Sequence, residues 1–109
     1  MFEIYHYLTR LGVDVYESWF ENLTDRKAKL RIAARLDRVE QGNIGDCKPV
    51  GDGVWELRIG HGPGYRIYYA LAGKQIVLLL CAGDKRRQSS EIQVAINYWA
   101  NYQVREMEK

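Results

Sequence analysis

The sequence predicts an α+β domain in which a pair of helices packs on one face of a small, mostly antiparallel sheet of four strands. Two helical patterns follow each other directly in the first half of the chain. Apolar and polar residues then alternate on both sides of a glycine-rich turn, and a continuous apolar run comes next. The predicted order is β-α-α-β-β-β-α, and 109 residues suit a single domain that spans residues 1–109.

The first half of the chain supplies one strand and two helices. The segment FEIYHYL, residues 2–8, is rich in aromatic and branched residues and predicts a short strand. Asp14, with Glu17 three residues later, forms the start of a capping box for the first helix. Thr24 or Asp25 can cap the second helix. Because almost nothing separates the two helices, we expect an αα-hairpin.

The second half supplies three strands and a last helix. The segment NIGDCKPVGDG, residues 43–53, has the glycines, proline and aspartates of a loop. The strands WELRI and YRIYY follow, joined by a turn with the sequence GHGPG. The run QIVLLLCA, residues 75–82, predicts a central strand that is covered on both faces. Ser90 and Gln93 offer a capping box for an amphipathic last helix.

Each of the two alternating strands carries one arginine, Arg58 or Arg66, on the face opposite to its apolar residues. A hairpin centred on Gly62 would place these arginines directly opposite each other on an exposed face. Like charges in that position cost about 0.2–1 kcal/mol, a cost that an anion between them would offset. Two guanidinium groups on a rigid sheet can clamp a phosphate. Alternatively, the arginines are solvated or pair with a carboxylate such as that of Glu56.

Cations are clustered along the chain although the net charge is only +2. Six lie within residues 25–38 and three within residues 84–87, which predicts an anionic partner such as nucleic acid or an acidic protein segment. Lys48, in the loop before the second strand, and Lys85, after the fourth, can converge on the face of the two arginines. The second helix has a basic stripe, which is either part of the interface or a solvated face, and which consists of Lys27, Arg31, Arg35 and Arg38.

Several classes of protein are disfavoured. No apolar run approaches the ~20 residues of a membrane span, and the N-terminus lacks the pattern of a signal peptide, so we expect a cytoplasmic protein. Cys47 and Cys81 are expected to be free thiols. His6 and His61 have no partner at metal-ligand spacing, so we expect no metal and no other cofactor.

Three ordered sequence blocks resemble a known family. They are ELR at residues 56–58, GPGYR at residues 62–66 and GDK-x-x-Q at residues 83–88. Together with their surroundings, they make the chain similar to the phage-derived HigB-like branch of the RelE/ParE toxin superfamily, whose members are often called addiction module killer proteins. The resemblance covers residues 16–99, and ordered blocks are more specific than any one motif.

The resemblance implies a RelE-like fold and the toxin half of a type II toxin–antitoxin system. Such a toxin is a ribosome-associated mRNA interferase, an endoribonuclease that inhibits translation. The ribose 2′-hydroxyl attacks the adjacent phosphate, and basic residues stabilise the charge that develops. The implied partners are a helix-turn-helix, HigA-like antitoxin, with which the toxin forms a hetero-oligomer, and the ribosome with its mRNA.

The resemblance also implies site residues. Arg66 matches the sheet arginine that contacts the scissile phosphate, and Arg86 matches a second catalytic arginine. Arg58 and Lys85 complete the implied catalytic set. The catalytic lysines of the RelE branch are absent, since Val54 and Glu56 stand at their positions.

The general base is therefore open, because Ile92 also replaces a RelE tyrosine. His61 is one candidate, since an imidazole titrates near neutrality, and Glu56 is another. The alternatives are that His61 is only a polar loop residue and that Glu56 is a salt partner of Arg58. Two other functions stay open: a ParE-like toxin that binds gyrase without nuclease chemistry, and a non-toxic relative that still binds an antitoxin.

Overall fold

The computed structural model describes all 109 residues, which form five strands, three helices and one 3₁₀ turn. The sheet is mixed, with strand order β1-β5-β4-β3-β2, and only β1 and β5 are parallel. The α+β class is confirmed, whereas the prediction of four strands was wrong. In chain order the elements are β1 (Glu3–His6), α1 (Val15–Glu21), α2 (Arg26–Glu40), β2 (Cys47–Gly51), β3 (Val54–Ile59), β4 (Tyr65–Gly73), β5 (Ile76–Asp84), the 3₁₀ turn (Lys85–Arg87) and α3 (Gln88–Met107).

The additional strand is β2, which lies in the segment predicted as a loop. It pairs antiparallel with β3 through a tight turn at Asp52 and Gly53, both of which have positive φ. Pro49 fits an edge strand because proline cannot donate a ladder hydrogen bond. The turn residues at both ends gave this segment the composition of a loop, and the strand between them has only five residues.

The helix starts agree in part with the sequence. Asp14 caps α1 by accepting a hydrogen bond from the Glu17 amide at 3.0 Å, and Asp25 caps α2. The two aspartates are confirmed as N-caps, and of the capping box predicted for α1 the structure shows the hydrogen bond to Asp14. The capping box predicted at Ser90 was wrong, because α3 already begins at Gln88, directly after the 3₁₀ turn. The Ser90 hydroxyl instead donates to the Arg87 carbonyl.

The sheet separates two apolar cores. One face, here called the helix-pair face, packs on α1 and α2, which confirms the predicted helix pair on one face of the sheet. The other, the α3 face, packs on α3. Strand β5 lies between β1 and β4 and is buried on both faces, as predicted. Burying one large apolar side chain stabilises the fold by about 1.5–3 kcal/mol. None of the three helices is long and apolar enough to span a membrane.

Candidate functional site

Two rows of side chains cross the α3 face near the turn between β3 and β4. Backbone pairing places Arg58 opposite Arg66, which confirms the predicted register, and places Arg66 opposite Gly83 on β5. Residues that pair directly on adjacent strands share a face. A second row runs beside the first, and we call both rows, with the first turn of α3, the arginine site. The second row consists of Lys48, Glu56, Tyr68 and Cys81.

Arg66 is largely buried, so the expectation of an exposed face was wrong at this position. Its side chain is only 13% exposed, and its Nε lies 3.3 Å from Oε1 of Glu56, within ion-pair distance but not aligned for a hydrogen bond. Glu56 is completely buried, and its Oε2 accepts a hydrogen bond of 2.7 Å from Nε2 of Gln88. Glu56 therefore pairs with Arg66 and not with Arg58. Its position is that of a group that orients Arg66, and no surface is left for contact with a substrate.

Arg58 has a carboxylate partner of its own. Its Nε and Nη2 donate to Oδ1 of Asp46 at 3.2 and 3.0 Å. The two opposed arginines are thus neutralised separately, by Asp46 and by Glu56. No bound anion is therefore needed to explain why the two arginines lie opposite each other in the hairpin. The argument that their repulsion requires a phosphate between them was wrong.

Lys85 and Arg66 flank the same glycine. The Lys85 amide donates to the carbonyl of Gly64 at 2.8 Å, which ties the 3₁₀ turn to the β3–β4 turn. Gly64 has a φ of 84°, and a Cβ added there would lie 3.7 Å from both Nη1 of Arg66 and Cβ of Lys85. The Lys85 side chain is exposed, and no carboxylate lies within ion-pair distance of it. The exposed Lys85 side chain therefore begins beside the same glycine that contacts the guanidinium group of Arg66.

Arg86 projects away from the sheet. Its side chain is 79% exposed, and its Nη2 lies 2.7 Å from Oδ2 of Asp84. Hydrogen bonds from Arg86 lower the pKa of Asp84. An incoming phosphate would therefore have to compete with Asp84 for Arg86.

Lys48 lies on strand β2, not in a loop. It is exposed and pairs in register with Glu56, so it shares the face of the two arginines at the edge of the sheet. The register confirms that this lysine shares the arginine face, while its convergence on one site with the arginines stays a prediction. It extends the cationic surface beyond the hairpin.

His61 is directed toward the helix pair. Its Nε2 lies 3.1 Å from Oδ2 of Asp25, whose Oδ1 caps α2. The hydrogen bonds of the α2 amides and of His61 lower the pKa of Asp25. The contact holds the β3–β4 turn against the start of α2, whereas the arginines lie on the α3 face. This geometry favours a structural role for His61 over that of a base.

The basic stripe of α2 contains both exposed residues and one buried residue. Lys27, Arg31 and Arg38 are exposed, but Arg35 is only 7% exposed, so the picture of one solvated face was wrong there. Nη2 of Arg35 donates to the carbonyl of Asp46 at 3.0 Å. Burial, and secondly the charge of Arg38, lowers the pKa of Arg35. A cleft of about 250 Å³ opens here without a carboxylate in its lining, which consists of Arg31, Ala34, Arg35, Arg38, Ile59 and Gly60.

A larger cavity, of about 660 Å³, adjoins the arginine site, and the sequence analysis did not identify it. It forms because β1 pairs only with Ile76–Leu79 of β5, so that the end of β5 has no neighbouring strand on that side. Trp19 of α1 forms an apolar wall. The polar lining is brought together from β5, the 3₁₀ turn and α3, and includes Asp84, Arg86, Arg87, Ser90 and Glu91.

Glu91 is the titratable residue that the sequence analysis missed. Burial raises the pKa of its carboxyl, and Asp84 raises it further, while Arg87 opposes the shift. Its Oε2 is buried without a hydrogen-bond partner, as is the hydroxyl of Tyr68. Burial, and then the charges of Glu56 and Glu91, raises the pKa of Tyr68. The only sequence signal was a glutamate in the first turn of the last helix, which is ordinary for a helix N-terminus.

Both cysteines are free, as expected. Cys81 is buried in the α3 core, where burial raises the pKa of its thiol to about 12. Cys47 is partly buried and lies on β2 instead of in a loop. A buried thiol with a raised pKa is a poor nucleophile, so Cys81 has a structural role in the core.

Comparison with known proteins places the chain in a family. A family model described as phage-derived protein Gp49-like matches residues 18–97, a segment that includes both rows of the arginine site and Glu91. An uncharacterized protein from Haemophilus influenzae is 45% identical over 80 residues, which cover 73% of this chain and 81% of that protein. The chain belongs to the Gp49-like family of phage-derived proteins, which is a RelE-like toxin family.

Proposed function

We propose that the chain is the toxin of a type II toxin–antitoxin system, of the HigB-like branch, and that it inhibits translation by cutting mRNA on the ribosome. The observation that carries this function is the environment of Arg66. Glu56 and Gln88 hold its guanidinium group from behind, Gly64 leaves room in front of it, and Lys85 adds a second cation. A cation that is held in place on a rigid sheet suits a phosphate whose charge increases during reaction.

The chemistry needs little beyond this arrangement and a base. The ribose 2′-oxygen forms a bond to the adjacent phosphorus, and the bond from phosphorus to the 5′-oxygen breaks. Negative charge grows on the non-bridging oxygens in the transition state, and donors that are already oriented stabilise it without reorganisation. Arg66 and Lys85 would face those oxygens, while Arg58, Arg86 and Lys48 would bind flanking phosphates.

The partners follow from the same cationic surfaces. The three-arginine cleft beside α2 lacks a carboxylate in its lining, so it can accept the phosphates of ribosomal RNA or an acidic segment of a helix-turn-helix antitoxin. Lys27, at the start of α2, extends this surface. An antitoxin would neutralise the toxin by covering the arginine site, by docking along α1 and α2, or by both.

Expression of the chain alone, followed by primer extension on an abundant message, tests this function. We expect translation to stop, with mRNA cut inside codons and DNA supercoiling unchanged. Uncut mRNA together with gyrase-dependent DNA breaks would instead show a ParE-like toxin. Normal growth with a folded, abundant chain would show a non-toxic relative.

A further inference from the structure

We propose that Glu91, in the first turn of α3, is the general base that removes the proton of the ribose 2′-hydroxyl, an assignment that rests on the proposed ribonuclease function. The two candidates from the sequence are less suited by position. His61 is directed toward α2, and Glu56 is completely buried against Arg66 and Gln88. Glu91 is a carboxylate that reaches both the large cavity and the arginine row.

The absence of a side chain at residue 83 brings Glu91 to Arg66. Gly83 pairs with Arg66 in the register of β4 and β5, so the two residues share the α3 face. A Cβ added at Gly83 would overlap the carboxylate of Glu91. The carboxylate therefore occupies the place that a side chain would otherwise fill beside Arg66. A base and a phosphate-binding cation are thereby neighbours on one surface.

Glu91 also has a free proton-accepting capacity and access to a ligand. Its Oε2 is buried and has no hydrogen-bond partner, whereas the Glu56 carboxylate is engaged on both oxygens, by Gln88 at Oε2 and by the charge of Arg66 at Oε1. The residue is partly exposed and lines the cavity of about 660 Å³. That volume lies within the range of small-ligand sites and can admit a nucleotide.

The surroundings of Glu91 suit a general base. Burial, and then the charge of Asp84, raises the pKa of its carboxyl above the ordinary value of a glutamate, which strengthens its affinity for a proton. Trp19 of α1 contributes no charge. The titratable and charged groups that face Glu91 from the neighbouring elements are Arg66 and Tyr68 on β4, Cys81 and Asp84 on β5, and Arg86 and Arg87 in the 3₁₀ turn.

The step balances with one water molecule that carries a proton and is regenerated. The 2′-hydroxyl proton passes to the carboxylate of Glu91, and the freed electron pair of the 2′-oxygen forms the new bond to phosphorus. The bond from phosphorus to the 5′-oxygen breaks, and the 5′-oxygen takes a proton from water. The hydroxide that remains takes the proton back from Glu91. The products are a 2′,3′-cyclic phosphate and a 5′-hydroxyl end.

Single-turnover cleavage of mRNA on programmed ribosomes, measured over a series of pH values, tests the assignment. For the wild-type chain we expect the rate to rise with pH as Glu91 loses its proton, and then to level off. Glu91→Gln should lower the rate by ~10²–10⁴-fold and remove this rise. Glu91→Asp should keep the rise at a reduced rate. Glu21→Gln, at an exposed position at the end of α1, is the matched control and should behave as wild type.

A second variant displaces the carboxylate without removing it. Gly83→Ala should slow cleavage as Glu91→Gln does, while Gly73→Ala, whose Cβ would meet Ile76 at an ordinary 3.5 Å, should not. Wild-type cleavage with an unchanged rate and pH profile in folded Glu91→Gln or Gly83→Ala would overturn the assignment alone. A wild-type chain that cuts no mRNA would overturn the proposed function and the assignment together.

Discussion

Arg66 is both a proposed catalytic group and one half of a buried ion pair. Removing it leaves the carboxylate of Glu56 without its charge partner in a place with no solvent contact. Breaking a buried pair typically costs about 3–5 kcal/mol, whereas replacing both partners is far less costly. The loss of activity in Arg66→Ala alone would therefore mix a chemical effect with an effect on folding.

A double variant separates the two effects. We expect Arg66→Ala to lower the melting temperature and to slow cleavage by ~10²–10³-fold. Adding Glu56→Gln should restore most of the stability, because the neutral amide can still accept the hydrogen bond from Gln88, but it should restore no activity. Thermal unfolding and the ribosomal cleavage assay measure the two properties. Full activity in the stable double variant would show that Arg66 takes no part in the reaction.

The ionised carboxylate of Glu91 should lower the free energy of unfolding. Its pKa is raised in the folded chain, so the folded state binds its proton more tightly than the unfolded state does. Ionisation of this carboxyl therefore destabilises the fold once the pH exceeds the ordinary range of a glutamate. We expect Glu91→Gln to melt at a higher temperature than wild type at neutral pH, and the difference to vanish in acid. A lower melting temperature at neutral pH would contradict the raised pKa.

The local pattern of residues allowed only part of the site to be predicted. The pairing of Arg58 with Arg66 follows from the period of two on either side of one turn. The partners of Glu56 and the position of Glu91 depend on α3, which lies far along the chain from β3 and packs back on the sheet. Contacts of that kind leave no periodic signal.

At the scale of elements, the cleft between α2 and the end of β3 has a structural arginine and two exposed arginines. Arg35 holds the carbonyl of Asp46, while Arg31 and Arg38 remain available to a ligand. If the cleft binds RNA phosphates, affinity for ribosomes should fall steeply with salt. We expect Arg38→Glu to weaken binding to ribosomes and to flatten this salt dependence.

Arg26→Glu is the control, because it makes the same change in charge on the same helix, at an exposed position outside the lining of the cleft. Filter binding to purified ribosomes at several salt concentrations compares the two variants. Equal losses of affinity would mean that only the overall charge of α2 matters. No loss in either variant would make α2 a solvated surface.

Strand β2 shows where the prediction of elements fails. Its five residues include a proline and end at a turn with three successive positive φ angles, from Gly51 to Gly53. Pairing with β3 and partial burial of Cys47 against the helix-pair core stabilise it as an edge strand. Propensity was overridden by tertiary contacts, as is usual for short edge strands. Long, strongly patterned elements such as α2 and β5 were predictable because their burial repeats along the sequence.

For the whole molecule, the two cationic surfaces lie in different layers. The arginine site lies on the α3 face, and the three-arginine cleft lies beside α2, with the sheet between them. If the proposed function is correct, a ribosome would engage both surfaces at once, because ribosomal RNA and mRNA present phosphates on more than one side of a small protein. An antitoxin would then need to block only one surface to stop the reaction.

Hydrogen exchange would show which surface of the chain is covered in a complex with a helix-turn-helix antitoxin that is encoded next to it. We expect new protection of backbone amides in α2 or around the β3–β4 turn and the start of α3, since acidic segments are attracted to these cationic surfaces. We also expect the antitoxin to raise the melting temperature of the toxin, because it binds the folded chain. Raising the salt concentration should reduce both effects, and Arg38→Glu should reduce them only if α2 is the surface used. Protection confined to the free edge of β1, with no dependence on salt, would mean that the antitoxin recognises the toxin through backbone pairing and leaves both cationic surfaces open.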